Sequence, residues 1–167
     1  MKKVSIILIT IFAFILGITY KNFFNLKRQS EAVKVQMVID GDTFIINNKQ
    51  KVRLIGVNTP ELSQSLKGKK TTEECFSQQS YLETKNLIEG KTVNMYKDVS
   101  NTDKYGRLLR YVYLGNLFIN NYLVQQGYAK IMPINPDIKF ASIFRNSQKE
   151  AQDNMRGLWS ICPSKQK

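Results

Sequence analysis

The chain has 167 residues, 43% of them hydrophobic and 11% aromatic, which suits one folded domain with its own core and excludes a disordered chain. A net charge of +12 favours a polyanionic partner, either nucleic acid or an anionic membrane surface. There is no His, which excludes His-based zinc sites and leaves carboxylate, Lys, Tyr or metal-bound hydroxide as a general base.

At the N-terminus, Lys2 and Lys3 precede an uncharged apolar run over residues 4–20, the pattern of an export signal. Residues 1–24 are therefore expected to be a signal peptide or a transmembrane anchor, followed by a polar, basic linker at 25–31. The run is short for a membrane span and long for a signal-peptide core. The only candidate cleavage pattern, Gly17 with Thr19, is poor, which favours retention as an anchor. The remainder is expected outside the membrane, or secreted after cleavage. In an exported chain Cys75 and Cys162 are expected to form a disulfide, whereas in a cytosolic one two unrelated buried thiols would be the default.

Beyond the linker, "AVKVQMVID", "DTFIINN" and "KQKVRLIGV" give three short strand-like runs, the last two joined by a turn at Asn47 and Asn48. Residues 63–74 are polar and are expected to form a long loop. "CFSQQSYLETKNLIEG" carries Phe76, Tyr81, Leu82, Thr84, Leu87 and Ile88 as a helical stripe closed by Gly90. "KTVNMYKDV" is a fourth strand, and "RLLRYVYLGNLFI" a strand, a turn at Leu114–Asn116 and a return. "NNYLVQQG" is a short helix, and the last helix runs from about Phe140 to Arg156. Strands first, with helices after the third strand and at the end, give an α+β class. A five-stranded OB-fold-like β-barrel with three α-helices, preceded by the N-terminal hydrophobic segment, fits the order.

The second and third runs raise a question. Phe44, Ile46, Val52 and Leu54 make one apolar face of a hairpin, yet Asp40, Asp42, Arg53, Asn58 and Glu61 cluster near its ends. Asp42 and Arg53 fall within a residue or two of each other across the ladder. Their parity conflicts: Arg53 points away from the core, while Asp42 shares parity with Phe44. A bend or bulge at Gly41 would re-aim Asp42. Pro60 ends the third run, leaving Asn58, Thr59 and Glu61 at the turn. An oxygen-only donor set suits a hard cation such as Ca²⁺ or Mg²⁺, a neighbouring Arg suits a phosphate, and a free carboxylate suits water activation. "DGD" alone is more often a solvated turn. A second cluster, "DKYGR" at residues 103–107, contains another of the six Arg and on its own reads as a charged hairpin loop.

Together with "VIDGDTF", "VRLIGVNTPE", "TDKYGRLL", "LVQQGYAK" and "EAQDNMRGLW", these clusters resemble the staphylococcal-nuclease-like (thermonuclease) family from about Val35 to Trp159. The resemblance implies an OB-fold nuclease domain at 32–162, with 163–167 as a tail. It implies hydrolysis of DNA and RNA phosphodiesters with Ca²⁺, leaving 3′-phosphate ends, with low sequence specificity. The implied metal residues are Asp42 as the principal carboxylate, Asp40 as a nearby acid shaping the site, Thr59 through its carbonyl, and position 58. Glu61 would activate or orient the attacking water, and Arg53 and Arg107 would clamp the scissile phosphate. Lys104 and Tyr105 would hold a neighbouring phosphate. The expected partners are DNA and RNA backbones, and the membrane through residues 4–20 if that segment is retained; the chain is expected to be a monomer. The sequence departs from the family pattern at Asn58, where a second calcium carboxylate is usual. It departs again at Pro133 and Asn135, where tyrosines usually line the nucleotide pocket. An OB module that binds nucleic acid without cutting it is the alternative, and the water-activating Glu61 argues against it.

Overall fold

The computed structural model describes residues 30–47, 49–63, 65, 66, 69, 70 and 72–162. The chain divides into two units, Met1–Ser30 and Glu31–Lys167. Residues 4–20 and the 163–167 tail lie outside the described residues. Among the described residues no helix is long and apolar enough to cross a membrane.

The barrel is built around one long strand. β1 (Glu31–Asp40) pairs through its first half with β7 (Thr92–Tyr96) and through its second half with β2 (Thr43–Ile46). The pairing passes from β7 to β2 between Lys34 and Val35, and register shifts between Val35 and Met37 and between Val38 and Asp40 interrupt the β1–β2 ladder. β2 turns into β3 (Lys51–Leu54), and β7 pairs with β8 (Leu108–Leu114). A parallel pairing of β3 with β8 closes the ring, so five strands enclose the core. β9 (Leu117–Phe118) extends the β8 side.

The expected inward face is present: Phe44, Ile46, Val52 and Leu54 are all buried, with Val35, Val93, Met95 and Tyr111 across from them. In the turn between β2 and β3, Lys49 has a positive φ of 62°. Two short strands, β5 (Ser65–Leu66) and β6 (Lys69–Lys70), pair within the stretch expected to be only loop. Another short strand, β10 (Lys130–Met132), pairs with β4 (Gly56–Asn58) outside the barrel.

Helix α1 (Ser77–Ile88) buries Thr84 and Ile88 of the expected stripe, with Phe76 buried just before it and Tyr81 and Leu87 partly buried against the core; Leu82 is exposed instead, and Ser77 and Ser80 join the buried side. The small polar residues fit because their hydroxyls find backbone acceptors. Ser80 donates to the Phe76 and Tyr128 carbonyls, and Thr84 donates to the Gly41 carbonyl at 2.7 Å. Helices α2 (Ile119–Gln125) and α3 (Ala141–Asp153) pack together beyond β8. Buried Asn120 joins α2 to the barrel, accepting from Val112 N–H and donating to the carbonyls of Ile55 and Arg110. A last turn, α4 (Leu158–Ile161), docks through Leu158 N–H on the Gly127 carbonyl at 2.9 Å. Gly127 has φ 73°, and an added Cβ there would run into the Arg156 carbonyl. Cys75 and Cys162 lie in disulfide geometry with Cα atoms 5.8 Å apart.

Candidate active site

The site forms where β1, β2, β3 and β4 end together. Thr43 pairs with Arg53 across the β2–β3 ladder, and Leu54 N–H donates to the Asp42 carbonyl at 2.9 Å. The parity conflict is thereby resolved. Arg53 does point away from Val52 and Leu54, and the Gly41–Asp42 turn after the β1 bulge carries Asp42 over to the same side. Gly41 is required by contact rather than by conformation, since a Cβ there would meet the Thr59 side chain at 2.7 Å.

The result is a buried ion pair. Arg53 is 6% exposed and Asp42 3%, and Arg53 Nη1 faces Asp42 Oδ2. Asp42 Oδ2 also accepts from Thr59 N–H at 2.9 Å, and Asp42 Oδ1 accepts from the Thr43 hydroxyl at 3.0 Å. Arg53 Nη2 donates to Asn58 Oδ1 at 2.8 Å, and the Asn58 amide nitrogen donates to the Thr59 carbonyl at 3.3 Å. Asp40 Oδ1 accepts from Asp42 N–H at 3.0 Å. Asp40, Asp42, Arg53, Asn58 and Thr59 are therefore one hydrogen-bonded group.

Glu61 stands at the rim, beyond Pro60, with its backbone N–H donating to Glu74 Oε2 at 3.1 Å. Arg107 comes from the turn before β8. Asp103 holds it there, accepting from Arg107 Nε at 2.6 Å and from the backbone N–H groups of Tyr105 and Arg107. Lys104 and Tyr105 occupy the same turn. Tyr105 is 72% exposed, with Lys104 Nζ 5.1 Å and Arg107 Cζ 5.5 Å from its ring centre. Pro133 and Asn135 lie exposed beyond β10.

The electrostatics show crowded acids. Burial, and then the Asp42 charge, push Asp40 up to about 7. Glu61 is raised first by partial desolvation and then by Asp42, with Arg53 and Arg107 acting in the opposite direction. Arg107 therefore lies within electrostatic reach of Glu61. Against the upward push of its own partial burial, the hydrogen bonds from Arg107 and Tyr105 hold Asp103 below its ordinary range.

A hard divalent cation fits this group. The donors are all oxygens, and a cation would offset the Asp42 charge that, after burial, raises Asp40 and Glu61. Among the described residues no three acidic, thiol or imidazole side chains are gathered as a ready metal cluster. The shell would thus draw on the Asn58 amide oxygen, the Thr59 carbonyl and water beside Asp42 and Asp40. Sequence reasoning missed three supporting residues: Thr43 on Asp42, Thr84 on the Gly41 turn, and Glu74 on Glu61. Of these, only Thr43 could have been noticed, as the neighbour of Asp42.

Comparison with known proteins gives a consistent result. The family described as "Staphylococcal nuclease homologue" matches residues 51–161. The chain is 34% identical over 134 residues to a thermonuclease of Staphylococcus intermedius, covering 78% of this chain and 77% of the relative. It is 32% identical over 133 residues to a thermonuclease of Staphylococcus hyicus, covering 78% and 76%. It is also 31% identical over 141 residues to Endonuclease YncB of Bacillus subtilis (strain 168), covering 80% and 65%.

Proposed function

Because the chain belongs to the staphylococcal nuclease family, we propose that it is a calcium-dependent nuclease that hydrolyses phosphodiester bonds of DNA and RNA with little regard for sequence. The observation that carries this reading is the buried Asp42–Arg53 pair, bonded on to Asn58 and Thr59, with Glu61 beside it and Arg107 within electrostatic reach. A pure binding surface would use exposed cations and would have no use for a guanidinium pre-set against carboxylates.

Arg53 uses part of its five-donor fork on Asp42 and Asn58, which fixes its plane and leaves donors for a phosphate oxygen. Arg107, braced by Asp103, offers a second guanidinium. Together they offset the charge that grows on the phosphorus oxygens in the transition state. Glu61 accepts a proton from, or orients, the water that attacks phosphorus. Asp42, Asp40, Asn58 and the Thr59 carbonyl would hold Ca²⁺, which would add charge neutralisation at the phosphate. Lys104 and Tyr105 would hold a flanking phosphate. Phosphate contacts carry no base information, so little sequence preference is expected.

Export belongs to the same reading, through the apolar residues 4–20 and an oxidised Cys75–Cys162 pair, with the domain anchored or released as a monomer. The test is incubation of plasmid DNA and of RNA with the protein, in Ca²⁺ and in chelator. Cleavage of both with Ca²⁺ alone supports the reading. Binding without cleavage under every divalent cation replaces it with a non-catalytic module.

A further inference from the structure

Glu61 is exposed at the rim of the site, yet its backbone is fixed on both sides. Upstream, Thr59 is bonded to Asp42, and Pro60 limits the backbone between them. Downstream, Glu61 opens the irregular stretch that carries β5 and β6, and Glu74 closes that stretch. The two residues clasp each other: Glu61 N–H donates to Glu74 Oε2 at 3.1 Å, and Glu74 N–H donates to the Glu61 carbonyl at 3.0 Å. The Glu74 carbonyl in turn accepts from Ser77 N–H at the start of α1.

The next residue is Cys75, paired with Cys162. Cys162 N–H donates to the Leu158 carbonyl, and buried Leu158 is seated on Gly127. A continuous series of bonds thus runs from the body of the domain through α4 and the cysteine pair to Glu74, and from Glu74 to Glu61. We propose that Glu74 and the Cys75–Cys162 bridge are a positioning frame for Glu61, fixing the carboxylate at the distance the attacking water requires. This rests on the nuclease reading above. Misplacing a reacting group by about 1 Å costs up to about 100-fold in rate, so a loosened clasp is expected to show in turnover rather than in substrate binding.

The experiment uses the full chain in detergent. Glu74→Ala removes the side-chain acceptor, Glu74→Gln keeps one, and paired Cys75→Ser and Cys162→Ser release the anchor. Hydrogen exchange over peptides containing Glu61 reads the clasp without any cleavage. It is expected to be slow in the wild type and in Glu74→Gln, and faster in the other two. kcat is expected to fall about 10- to 100-fold in Glu74→Ala, with KM and half-maximal Ca²⁺ within about twofold, and to be largely restored in Glu74→Gln. In a Glu61→Gln background, Glu74→Ala is expected to cost nothing further. Unchanged exchange in Glu74→Ala overturns the frame, as does a rate loss that persists in the Glu61→Gln background. A wild type inert toward nucleic acid overturns the nuclease reading instead, and exchange alone then decides whether the clasp exists.

Discussion

At the scale of single residues, Arg53 and Asp42 are each costly to bury and are stable only together. Removing one partner of such a pair typically costs about 3–5 kcal/mol, because the other charge stays behind without compensation. The bonds to Thr43, Thr59 and Asn58 complete the set. Asn58 is one of the expected departures from the family pattern, and its Oδ1 accepts from Arg53 while contributing no charge. Oxygen-ligand sites tune calcium affinity partly by the number of charged ligands. Asn58→Asp is therefore expected to lower the Ca²⁺ concentration for half-maximal cleavage, and calorimetric titration with Ca²⁺ checks it directly. Equal affinities in the two proteins would remove residue 58 from the metal shell.

At the scale of elements, the site depends on how strand ends and turns are tied. Asp103 organises the 103–107 turn that presents Arg107. Its carboxyl titrates below the ordinary 3.8, so its contribution is present above that pH and is lost as pH falls through the lowered value. Asp103→Asn is expected to lower Tm at pH 7, with the gap from wild type narrowing as pH falls below the ordinary 3.8. A thermal unfolding series against pH checks this. Asn120 ties α2 to the barrel. Asn120→Ala leaves the buried Val112 N–H without its acceptor and is expected to destabilise by about 1–3 kcal/mol in urea unfolding.

The strands that close the barrel were legible because apolar residues alternate along them, as at Phe44 and Ile46 or Val52 and Leu54. The Asp103–Arg107 tie was half-legible, as opposite charges four apart at a Gly-containing turn. Other features were not. β10 is three residues long and exists through its pairing with β4. The buried side of α1 also takes in Ser77 and Ser80, which read as solvent-facing until the Ser80 acceptor on Tyr128 is known. Glu74 lies in a polar stretch, and only the folded chain brings it to Glu61.

At the scale of the whole molecule, net charge and the Cys75–Cys162 pairing carry further expectations. A net charge of +12 draws polyanions to the surface without selecting among them. The cysteine pair spans 87 residues, which on the chain-entropy argument corresponds to roughly 4–5 kcal/mol of stability if the link is unstrained. Reduction is thus expected to lower the denaturant midpoint markedly while leaving the secondary structure signal of the folded protein intact. Denaturant unfolding with and without reductant, beside thiol labelling of the oxidised protein, checks this. Two freely labelled thiols before reduction would contradict it.

Glu61, Arg53 and Arg107 are expected to make this barrel a hydrolase rather than a binding surface. Single-turnover cleavage of a labelled DNA tests it most directly, with wild type and Glu61→Gln compared in Ca²⁺ and in chelator, and with binding measured on the same samples. Wild type is expected to cleave in Ca²⁺ and to stop in chelator. Glu61→Gln is expected to bind as wild type does and to cleave at least about 100-fold more slowly. Cleavage by Glu61→Gln at the wild-type rate, or wild-type binding with no cleavage in Ca²⁺, would contradict the account.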